Sequence, residues 1–523
     1  MQRNTVVCPL PYTKFECSAS ESLSEKMSLL DVSASLKASF FCGLVEVGGS
    51  AKFLNQKTSS THQCSVTLKY HVTTEFRELI MSELETPKPE DIDKTDATHI
   101  VSQVTYGAHA LMEFQESASE ETRKRDIQQK LSTMVHMIPV IGINGDGSLN
   151  MNEDDKTKVQ NFRCHFFGDF QTKTLPMTFQ EAVAVCKELP YLLGEKGEKA
   201  VPVTVWLYPL SKLTNTEGKL KRMLSDMLVE KFQRAMDDLH QAEIRANDLL
   251  EKSKAIKAED IVGKLESFQS SLQVFIPEFL RKMADLIPAI RGGDVVDKAL
   301  RDLLDSQNAS GFSRAEMRHW LDGKDTEIHV LTSHIKKLQC DIKPQGSELD
   351  CFLMDPDVFD AYVFSFTSLS YLEPYLQKIS QAVENLQPLT PNPNPNPNPE
   401  LQHLTPNPIP NPNLQHLTPN PNPNLQHLTP NLQHLTPNPN LQSRCSSSAE
   451  QDEEEAAWYH RPDVKRALRS SVDVFNSIVL ENKKAISFIP DPKNPGASVR
   501  WYHDAALEDP HVTEAPQDSQ GKG

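Results

Sequence analysis

The stretches CSVTLKYHVTTEF (residues 64–76) and IVSQVTYGAHALMEF (residues 100–114) carry the clearest structural signal in this chain. Apolar and polar residues alternate through both of them, as in Val66, Thr67 and Leu68. Successive side chains of a β-strand point to opposite faces, so a period of two predicts a strand with one apolar and one polar face. Both stretches exceed the usual strand length of ~5–6 residues by a wide margin. We therefore predict a large, strongly curved antiparallel sheet and not a small sandwich.

Shorter runs with the same alternation follow at residues 162–170 and 201–207. From about Lys219 to Cys340 the apolar period becomes helical, which predicts a helical bundle. Gly292-Gly293 and Ser310-Gly311 supply the breaks between its later helices. The predicted helices cover residues 219–239, 261–287, a short stretch near 295, and 314–338.

The C-terminal part has the pattern of a small α/β domain that is interrupted by an insert. Its predicted elements are a strand at 361–367, helices at 371–385 and 462–480, and strands at 485–489 and 498–503. Between the two helices, LQHLTPN recurs among Pro-Asn dipeptides at 401–407, 414–420, 425–431 and 432–438. Proline at this frequency removes backbone donors and fixes φ, so the insert is predicted to be an extended, disordered linker.

The chain is thus predicted to be a multidomain α+β protein. The predicted boundaries are 1–210 for a bent antiparallel sheet with helical clusters, 211–345 for the helical bundle, 346–387 with 457–504 for the α/β domain, 388–456 for the Pro-Asn-rich disordered insert, and 505–523 for a disordered tail. A division of this kind fits a chain of 523 residues, since single hydrophobic cores stop growing beyond about 250–300 residues.

Composition and charge argue against a nucleic-acid partner. The 54 basic and 71 acidic residues give a net charge of −17, and no Lys/Arg run is sustained, so no nucleic-acid partner is expected.

The nine cysteines are scattered without a C-x-x-C pair, which predicts reduced thiols. No apolar stretch approaches the ~20 residues of a spanning helix, and the N-terminus lacks the apolar core of a signal peptide. These features predict a cytoplasmic location.

Catalytic motifs are also absent from the sequence. There is no G-x-S-x-G, P-loop or H-E-x-x-H motif, so we expect no catalytic residue, no cofactor and no metal, and the protein is predicted not to be an enzyme. The turn after Thr367 reads Ser-Leu-Ser-Tyr-Leu and lacks the cysteine pair that thiol redox chemistry needs. The α/β domain is therefore predicted to be redox-inert.

Two segments next to the long strands fit two different structures. In residues 32–53, apolar and polar residues alternate as in a β-hairpin, yet Leu36 and Phe40 also fall at helical spacing. Residues 125–151 share this property, because a helical apolar stripe is followed by strand-like alternation. Both segments are therefore conformationally ambiguous: each could be an amphipathic helix or an extended hairpin.

An extended hairpin of this kind would suit a membrane. Strands of ~9–11 residues cross a tilted bilayer, with one face in lipid and the other in a water-filled lumen. The simpler alternative is that both segments are ordinary surface helices against a sheet. Gly48-Gly49 would be either a hinge for unfolding or a turn. The residues predicted to face lipid are Val32, Ala34, Leu36, Ala38, Phe40, Val45, Val47, Ala51, Phe53, Ile141, Ile143, Leu149 and Met151.

Several motifs resemble known families. Tyr106-Gly107-Ala108-His109 resembles the Tyr/Phe-Gly-Thr-His signature of the membrane-attack-complex/perforin and cholesterol-dependent cytolysin superfamily, with Ala108 in place of Thr. Longer phrases resemble the stonustoxin, verrucotoxin and neoverrucotoxin family of fish venom cytolysins, and the likeness covers most of residues 12–504 outside the insert. Among these phrases are GLVEVGGSAKFLN (43–55), FSRAEMRHWLDGKDTEIHVL (312–331) and AYVFSFTSLSYLEPYL (361–376).

This resemblance implies a perforin-like sheet domain, a focal-adhesion-targeting-like bundle and a thioredoxin-like domain. Family members usually end in a PRY-SPRY domain and begin with a segment ahead of Tyr12, and neither is expected here. The first strand would then run from Tyr12 to Ala19 with poor support. Within the signature, His109 would either hold the bend of the sheet or be a solvated side chain on the polar face.

The function that the resemblance implies is pore formation. Residues 24–60 and 122–160 would convert from helical clusters to spanning hairpins while the protein associates with itself, or with a related subunit, on membrane lipid. A secreted, extracellular protein is also implied, in contrast to the cytoplasmic location above. The alternative function is that of a non-lytic cytosolic paralogue that acts as an interaction or scaffold protein.

Overall fold

A five-stranded antiparallel sheet organises the N-terminal part of the computed structural model. The two long strands predicted from the alternating pattern are confirmed, with 17 residues in one and 19 in the other. The strands are β1 (Thr5–Ala19), β2 (Gln63–Leu79), β3 (His99–Ser117), β4 (Arg163–Gly168) and β5 (Val201–Pro209). Their order is β1-β2-β3-β4, and β5 pairs with the N-terminal half of β3.

The structure describes residues 4–514 except for a set of gaps. These gaps are 20, 46–47, 57, 81–97, 118–123, 144–155, 158, 213–221, 339–346, 368–372, 387–456, 481–485 and 490–495. The predicted Pro-Asn insert at 388–456 therefore lies outside the described residues.

The first strand is longer than the sequence resemblance implied. β1 starts at Thr5 and not at Tyr12, because its pairing with β2 continues past a bulge between Pro9 and Tyr12. A bulge leaves one residue unpaired and bends the strand without ending the ladder.

Helices cover both faces of the sheet along the C-terminal half of β3. The apolar face is covered by α3 (Lys124–Ile143) and α4 (Phe179–Leu192), whose apolar residues join Leu68 and Phe114 in one core. The opposite face is covered by α1 (Leu23–Leu29) and the 3₁₀ helix Gly49–Asn55, with Leu29 and Phe53 packed against Leu111. Between them lies α2 (Ala34–Phe41). The sheet is thus the middle layer of three.

In the part of the bundle that the structure describes, there are four helices. They are α5 (Asp226–Ala255), α6 (Glu259–Gly292), α7 (Asp297–Ala309) and α8 (Arg314–Ile335). Gly293, with φ of 81°, ends α6 in the left-handed conformation that glycine adopts without strain. Residues 222–225 are not helical, so α5 begins at Asp226 and not near Lys219, with Ser225 at its N-cap position.

The C-terminal domain has a four-stranded mixed sheet. After the short helix α9 (Ser347–Leu353) come β6 (Asp360–Thr367), α10 (Pro374–Leu386), α11 (Pro462–Leu480), β7 (Ile486–Ile489), β8 (Gly496–His503) and β9 (Ala506–Asp509). The order is β7-β6-β8-β9, and only the β6–β7 pair is parallel. The elements predicted on both sides of the insert therefore join in one sheet.

The predicted disordered tail at 505–523 is wrong in its first part. Ala506–Asp509 form β9, which pairs with β8 across a two-residue turn of Asp504 and Ala505. Both turn residues have positive φ, 48° and 61°, as a tight hairpin turn requires. Alanine is rarely found in that conformation, so an Asp-Ala pair is a weak signal for such a turn. Residues 515–523 lie outside the described residues.

A buried polar network joins the bundle to the C-terminal domain. Lys324 of α8 contacts the carboxylates of Glu327 and Glu373, and all three side chains are less than a tenth exposed. Trp320 Nε1 donates to Glu373 Oε2, and Trp458 Nε1 donates to Glu327 Oε1, each at 2.6 Å. Every charge in this junction therefore has an opposite partner.

None of the helices in the described part of the chain is both long and apolar enough to cross a bilayer.

Candidate functional site

The ambiguous segment at 32–53 is helical in this structure. We call residues 21–56 the first cluster; it contains α1, α2 and the 3₁₀ helix Gly49–Asn55. Helix α1 starts with a capping box, in which the Ser22 hydroxyl accepts from the Glu25 amide and the Glu25 carboxylate accepts from the Ser22 amide. Within residues 32–53 themselves, α2 and the 3₁₀ helix have no side-chain hydrogen bond at their N-cap positions, Ser33 and Gly48, so capping supports only α1.

A buried ion pair holds the first cluster on the sheet. Lys26 Nζ of α1 lies 2.9 Å from Glu113 Oε1 of β3, and these side chains are 2% and 1% exposed. The same ammonium donates to the Gln56 carbonyl oxygen at 2.9 Å and lies 4.8 Å from the centre of the Phe53 ring. Burial lowers the pKa of Lys26 and raises the pKa of Glu113, and the attraction between the two charges opposes both shifts.

A second anchor comes from the neighbouring strand. Lys69 of β2 is buried, and its ammonium donates to the carbonyl oxygen of Leu29 at the end of α1. It also lies 3.4 Å from Asp31 Oδ2. The C-terminal carbonyls of a helix lack intrahelical partners, so a lysine at this place satisfies one of them.

A third anchor is Asp169, which follows β4. Its Oδ1 accepts from the Ser50 amide and its Oδ2 accepts from the His109 amide, both at 2.9 Å. The amide of Asp169 in turn donates to the His109 carbonyl oxygen at 2.9 Å. One carboxylate therefore connects the 3₁₀ helix of the first cluster to β3.

Of the predicted hinge pair, Gly49 has the special geometry. Its φ is 55°, and a Cβ added there would lie 2.5 Å from Asp169 Oδ1. Gly48 has a φ of −130° and open space at its Cβ position. Gly49 thus allows the close approach to Asp169, which makes it part of an anchor in this conformation.

The signature motif lies where β2 and β3 approach most closely. A Cβ on Gly107 would lie 2.0 Å from the Val72 carbonyl oxygen, so only glycine fits. The register of β2 shifts between Thr73 and Glu75 at the same level. The Arg77 guanidinium lies 4.4 Å from the centre of the Tyr106 ring. The first two signature residues therefore lie at the register shift between β2 and β3.

His109 is half-buried and faces another histidine. Its ring centre is 4.5 Å from that of His71, the residue directly opposite on β2. Burial, with smaller contributions from His71 and Lys69, lowers the pKa of His109 to about 4. The histidine is therefore not the solvated side chain that the polar face of the strand suggested, because the first cluster covers that face.

The outer side of the first cluster packs on the helical bundle. The Phe41 ring lies 5.4 Å from that of Phe232 on α5. Arg291 Nη1 of α6 donates to Ser39 Oγ at 2.9 Å, and Gln233 of α5 donates to Ser24. The first cluster is thus held between the sheet and the bundle.

The residues predicted to face lipid do not share one face here. Ala38 and Phe53 are buried, Leu36 is 44% exposed, and Val32, Phe40, Val45 and Ala51 lie between these extremes. Ala34 is the first residue of α2, and Val47 lies outside the described residues. The lipid-facing set therefore stays a prediction about an extended form.

The second ambiguous segment is helical as far as it is described. The apolar stripe of α3, from Ile127 to Ile138, lies in the core on the apolar face of the sheet. Ile141 and Ile143 belong to the last turn of α3. Leu149 and Met151 lie outside the described residues, so the strand-like half of this segment stays a prediction.

Sequence reasoning missed the three anchors. The alternating pattern places Glu113 and Lys69 on the polar faces of their strands without indicating that they are buried, and it gives no signal for Lys26 or Asp169. One signal in the sequence is that Lys69 follows two small polar residues on the same strand face, Ser65 and Thr67. All three are buried in the structure. A charged residue among small polar ones in a long strand is a candidate for a buried pair. Within the described residues, no cluster of His, Cys, Asp and Glu could hold a metal ion.

Comparison with known proteins gives this arrangement a context. Residues 234–329 match the family model of the stonustoxin helical domain, and residues 417–513 match that of the thioredoxin-like SNTX domain. The chain is 33% identical to neoverrucotoxin subunit alpha of Synanceia verrucosa over 71% of its own length and 54% of that protein. It is 32% identical to stonustoxin subunit beta of Synanceia horrida over 74% of its own length and 56% of that protein.

A solved stonustoxin structure has the same fold. It aligns with a TM-score of 0.67 at 24% identity, covering 97% of this chain and 65% of the solved chain. The predicted family resemblance and fold class are confirmed by these matches. The chain spans just over half the length of the curated relatives that it matches. These relatives give no support to the cytoplasmic location predicted above.

Proposed function

Because the chain is a homologue of the stonustoxin and neoverrucotoxin subunits over the part that it shares with them, we propose that it is a cytolysin-like protein that forms β-barrel pores. In this proposal it acts from outside the cell, and its first cluster and the segment 122–160 unfold from the sheet into membrane-spanning hairpins. It acts by binding and refolding and not as an enzyme.

The observation that carries this proposal is the polar surface beneath the first cluster. Lys26, Glu113, Lys69 and Asp169 hold the cluster through ion pairs and hydrogen bonds, and the small polar residues of β2 surround them. A buried ion pair contributes little net stability, because removing two charges from water costs about as much as their attraction returns. Water can replace each of these polar contacts, so on the sheet side the cost of release comes mainly from the small apolar cluster of Leu29, Phe53 and Leu111.

The released segment would also be compatible with a bilayer. The residues predicted to face lipid between Val32 and Phe53 are all apolar, while Ser33, Lys37 and Lys52 lie on the alternate face. Lysine or arginine on the lipid side would cost ~2–4 kcal/mol at mid-bilayer. The pattern therefore suits a hairpin with one face in lipid and one in a lumen.

The partner in assembly is proposed to be a second copy of the chain or a related subunit. Both alpha and beta subunits of stonustoxin-type toxins are similar to this chain. In the described sheet, β1 pairs on one side only, along 15 residues of edge. A long unpaired edge with exposed Val7 and Tyr12 is a template for another strand.

A disulfide across the third anchor tests the refolding step. Ser50→Cys with Asp169→Cys would connect the 3₁₀ helix to the end of β4, where the Ser50 amide now bonds the carboxylate. We expect the oxidised double variant to release no dye from phosphatidylcholine–cholesterol vesicles, and the reduced form to release it. The two single-cysteine variants serve as controls for the loss of the anchor itself.

Two outcomes would contradict the proposal. If the oxidised double variant leaks as much dye as the reduced form, the first cluster does not leave the sheet. If the parent chain neither leaks dye nor forms rings on vesicles or erythrocyte membranes, pore formation is wrong. The alternative, a non-lytic interaction or scaffold protein, would then replace it.

A further inference from the structure

A cavity of about 320 Å³ lies between the first cluster and the bundle helices α5 and α6. It shares Gln56 with the Lys26 anchor, whereas Glu113, Lys69 and Asp169 do not line it. Its apolar walls come from Leu23, Phe41 and Leu54 on one side and from Met236, Leu272 and Ile276 on the other. The volume and the apolar walls are those of a small-molecule site.

The polar groups around this cavity carry negative charge. The carboxylates of Glu21, Asp237 and Glu243 line it, and no lysine or arginine does so among the described residues. Glu21 is already paired with Lys124 at 2.7 Å, and Glu243 lies 3.4 Å from His240. The Asp237 carboxylate makes no hydrogen bond or ion pair within the described part of the chain, although it is half-buried.

The burial of Asp237 has a measurable consequence. Burial, together with the adjacent Asp238, raises the pKa of Asp237 to about 6. Asp237 is therefore a half-buried carboxylate beside an apolar cavity, without a hydrogen-bonded cation, and His240 and Lys37 only partly offset the effect of burial.

A backbone acceptor adds to this pattern. Pro277 lies inside α6 and lines the cavity, as does Gln273 one turn earlier. Proline has no amide hydrogen, so the carbonyl oxygen of Gln273 lacks the donor that an α-helix normally supplies from four residues ahead. An acceptor without its helical donor thus belongs to a residue that lines the same cavity as Asp237.

The geometry points to a binding site for a small amphipathic cation, with an ammonium or guanidinium group at Asp237 and the Gln273 carbonyl and an apolar body between Phe41 and Ile276. The site itself does not depend on the proposed pore. One consequence does rest on that function: a ligand that touches both the cluster and the bundle stabilises the docked form and should inhibit leakage.

Calorimetric titration at pH 7.5 tests the site with one apolar body in three charge states. The probes are 4-phenylbutylamine, 4-phenylbutanol and 4-phenylbutyrate, added to the full chain. We expect saturable binding of the amine at one site, with the alcohol and the acid weaker by about tenfold or more, because only the amine forms charge-assisted hydrogen bonds with Asp237.

Two variants separate the charge from the cavity. Asp237→Asn should weaken the amine by about tenfold, whereas Asp238→Asn, the same change on the next residue of α5, should weaken it much less, because Asp238 does not line the cavity. Ile276→Trp should abolish binding of the amine by filling the cavity. Thermal unfolding of each variant checks that it is folded.

Equal binding of the amine and the alcohol would overturn the proposal, as would unchanged amine binding in Asp237→Asn or in Ile276→Trp. Absence of any saturable amine binding to the parent chain would overturn it as well. Binding is measured without membranes, so its failure is distinct from failure of pore formation. If the amine binds as expected but does not slow leakage, the site stands and the refolding of the first cluster is contradicted.

Discussion

At the scale of single residues, the pair of Lys26 and Glu113 illustrates how burial changes the meaning of a charge. Glu113 belongs to the polar half of an alternating strand, which on an open sheet would face water. Here α1 places the Lys26 ammonium against the Glu113 carboxylate, so both charges are buried away from water. Such a pair stabilises the folded protein little, but removal of one member leaves the other without a partner.

Replacing Glu113 with glutamine should therefore loosen the first cluster. The unpaired Lys26 ammonium should reduce the free energy of opening of α1 by about 3–5 kcal/mol. Hydrogen exchange of the α1 amides measures this directly. The double variant Lys26→Met with Glu113→Leu removes both charges and should restore protection to about the parent level. Equal exchange in the parent and Glu113→Gln would mean that the pair does not hold the cluster.

At the scale of elements, the histidine pair connects β2, β3 and the first cluster in one pH-dependent contact. His109 faces His71 and Lys69 from β2, Asp31 from the first cluster, and Asp169 after β4. Because the folded pKa of His109 is about 4 and its ordinary value is 6.5, the unfolded chain binds a proton more readily. Stability is therefore complete above pH 6.5 and falls as the pH approaches 4.

We expect the parent chain to unfold at lower urea concentration at pH 5 than at pH 7, as followed by the ellipticity of the sheet domain. His109→Gln cannot take up this proton, so its loss of stability between the two pH values should be smaller. The exposed His319→Gln provides the matched control and should behave like the parent. Identical pH dependence in the parent and His109→Gln would contradict the assignment.

The strands of the large sheet could be predicted because a period of two is a local property. Which face of a strand is dry could not, because this depends on residues that are distant in the chain: the polar half of β3 is covered by α1 and the 3₁₀ helix. The choice of helix for residues 32–53 depends on contacts with the bundle and the sheet, because α2 has no side-chain hydrogen bond at its N-cap residue Ser33. Asp169 was invisible because it binds backbone amides, which leave no pattern in the sequence.

At the scale of the whole molecule, the buried network around Lys324 connects the bundle to the C-terminal domain. Lys324 and Glu327 come from α8, Glu373 precedes α10, and Trp458 follows the insert. The two carboxylates raise the pKa of Lys324 against the effect of burial, so the lysine is charged in the folded protein. The network therefore fastens both halves of the interrupted domain to the same helix.

Lys324→Met should leave the buried Glu327 without a cation, while Glu373 keeps its ion pair with Lys264 at 3.3 Å, and should lower the free energy of unfolding by about 3–5 kcal/mol. Lys252→Met is the matched control, since Lys252 forms an ion pair with Asp325 at 3.3 Å but is 44% exposed. Its removal should change stability by no more than about 0.5 kcal/mol. Thermal unfolding of the two variants gives the comparison, and similar losses in both would contradict the role of burial.

The contact at Asp169 has one more consequence. Its two carboxylate oxygens accept hydrogen bonds from the main-chain amides of Ser50 and His109. These two hydrogen bonds do not involve the side chains of Ser50 and His109. A lineage could exchange serine or histidine there for almost any other amino acid while the docking geometry persisted. Selection at the third anchor is thus expected to conserve Asp169 and Gly49, because the absence of a Cβ on Gly49 makes room for the Asp169 carboxylate.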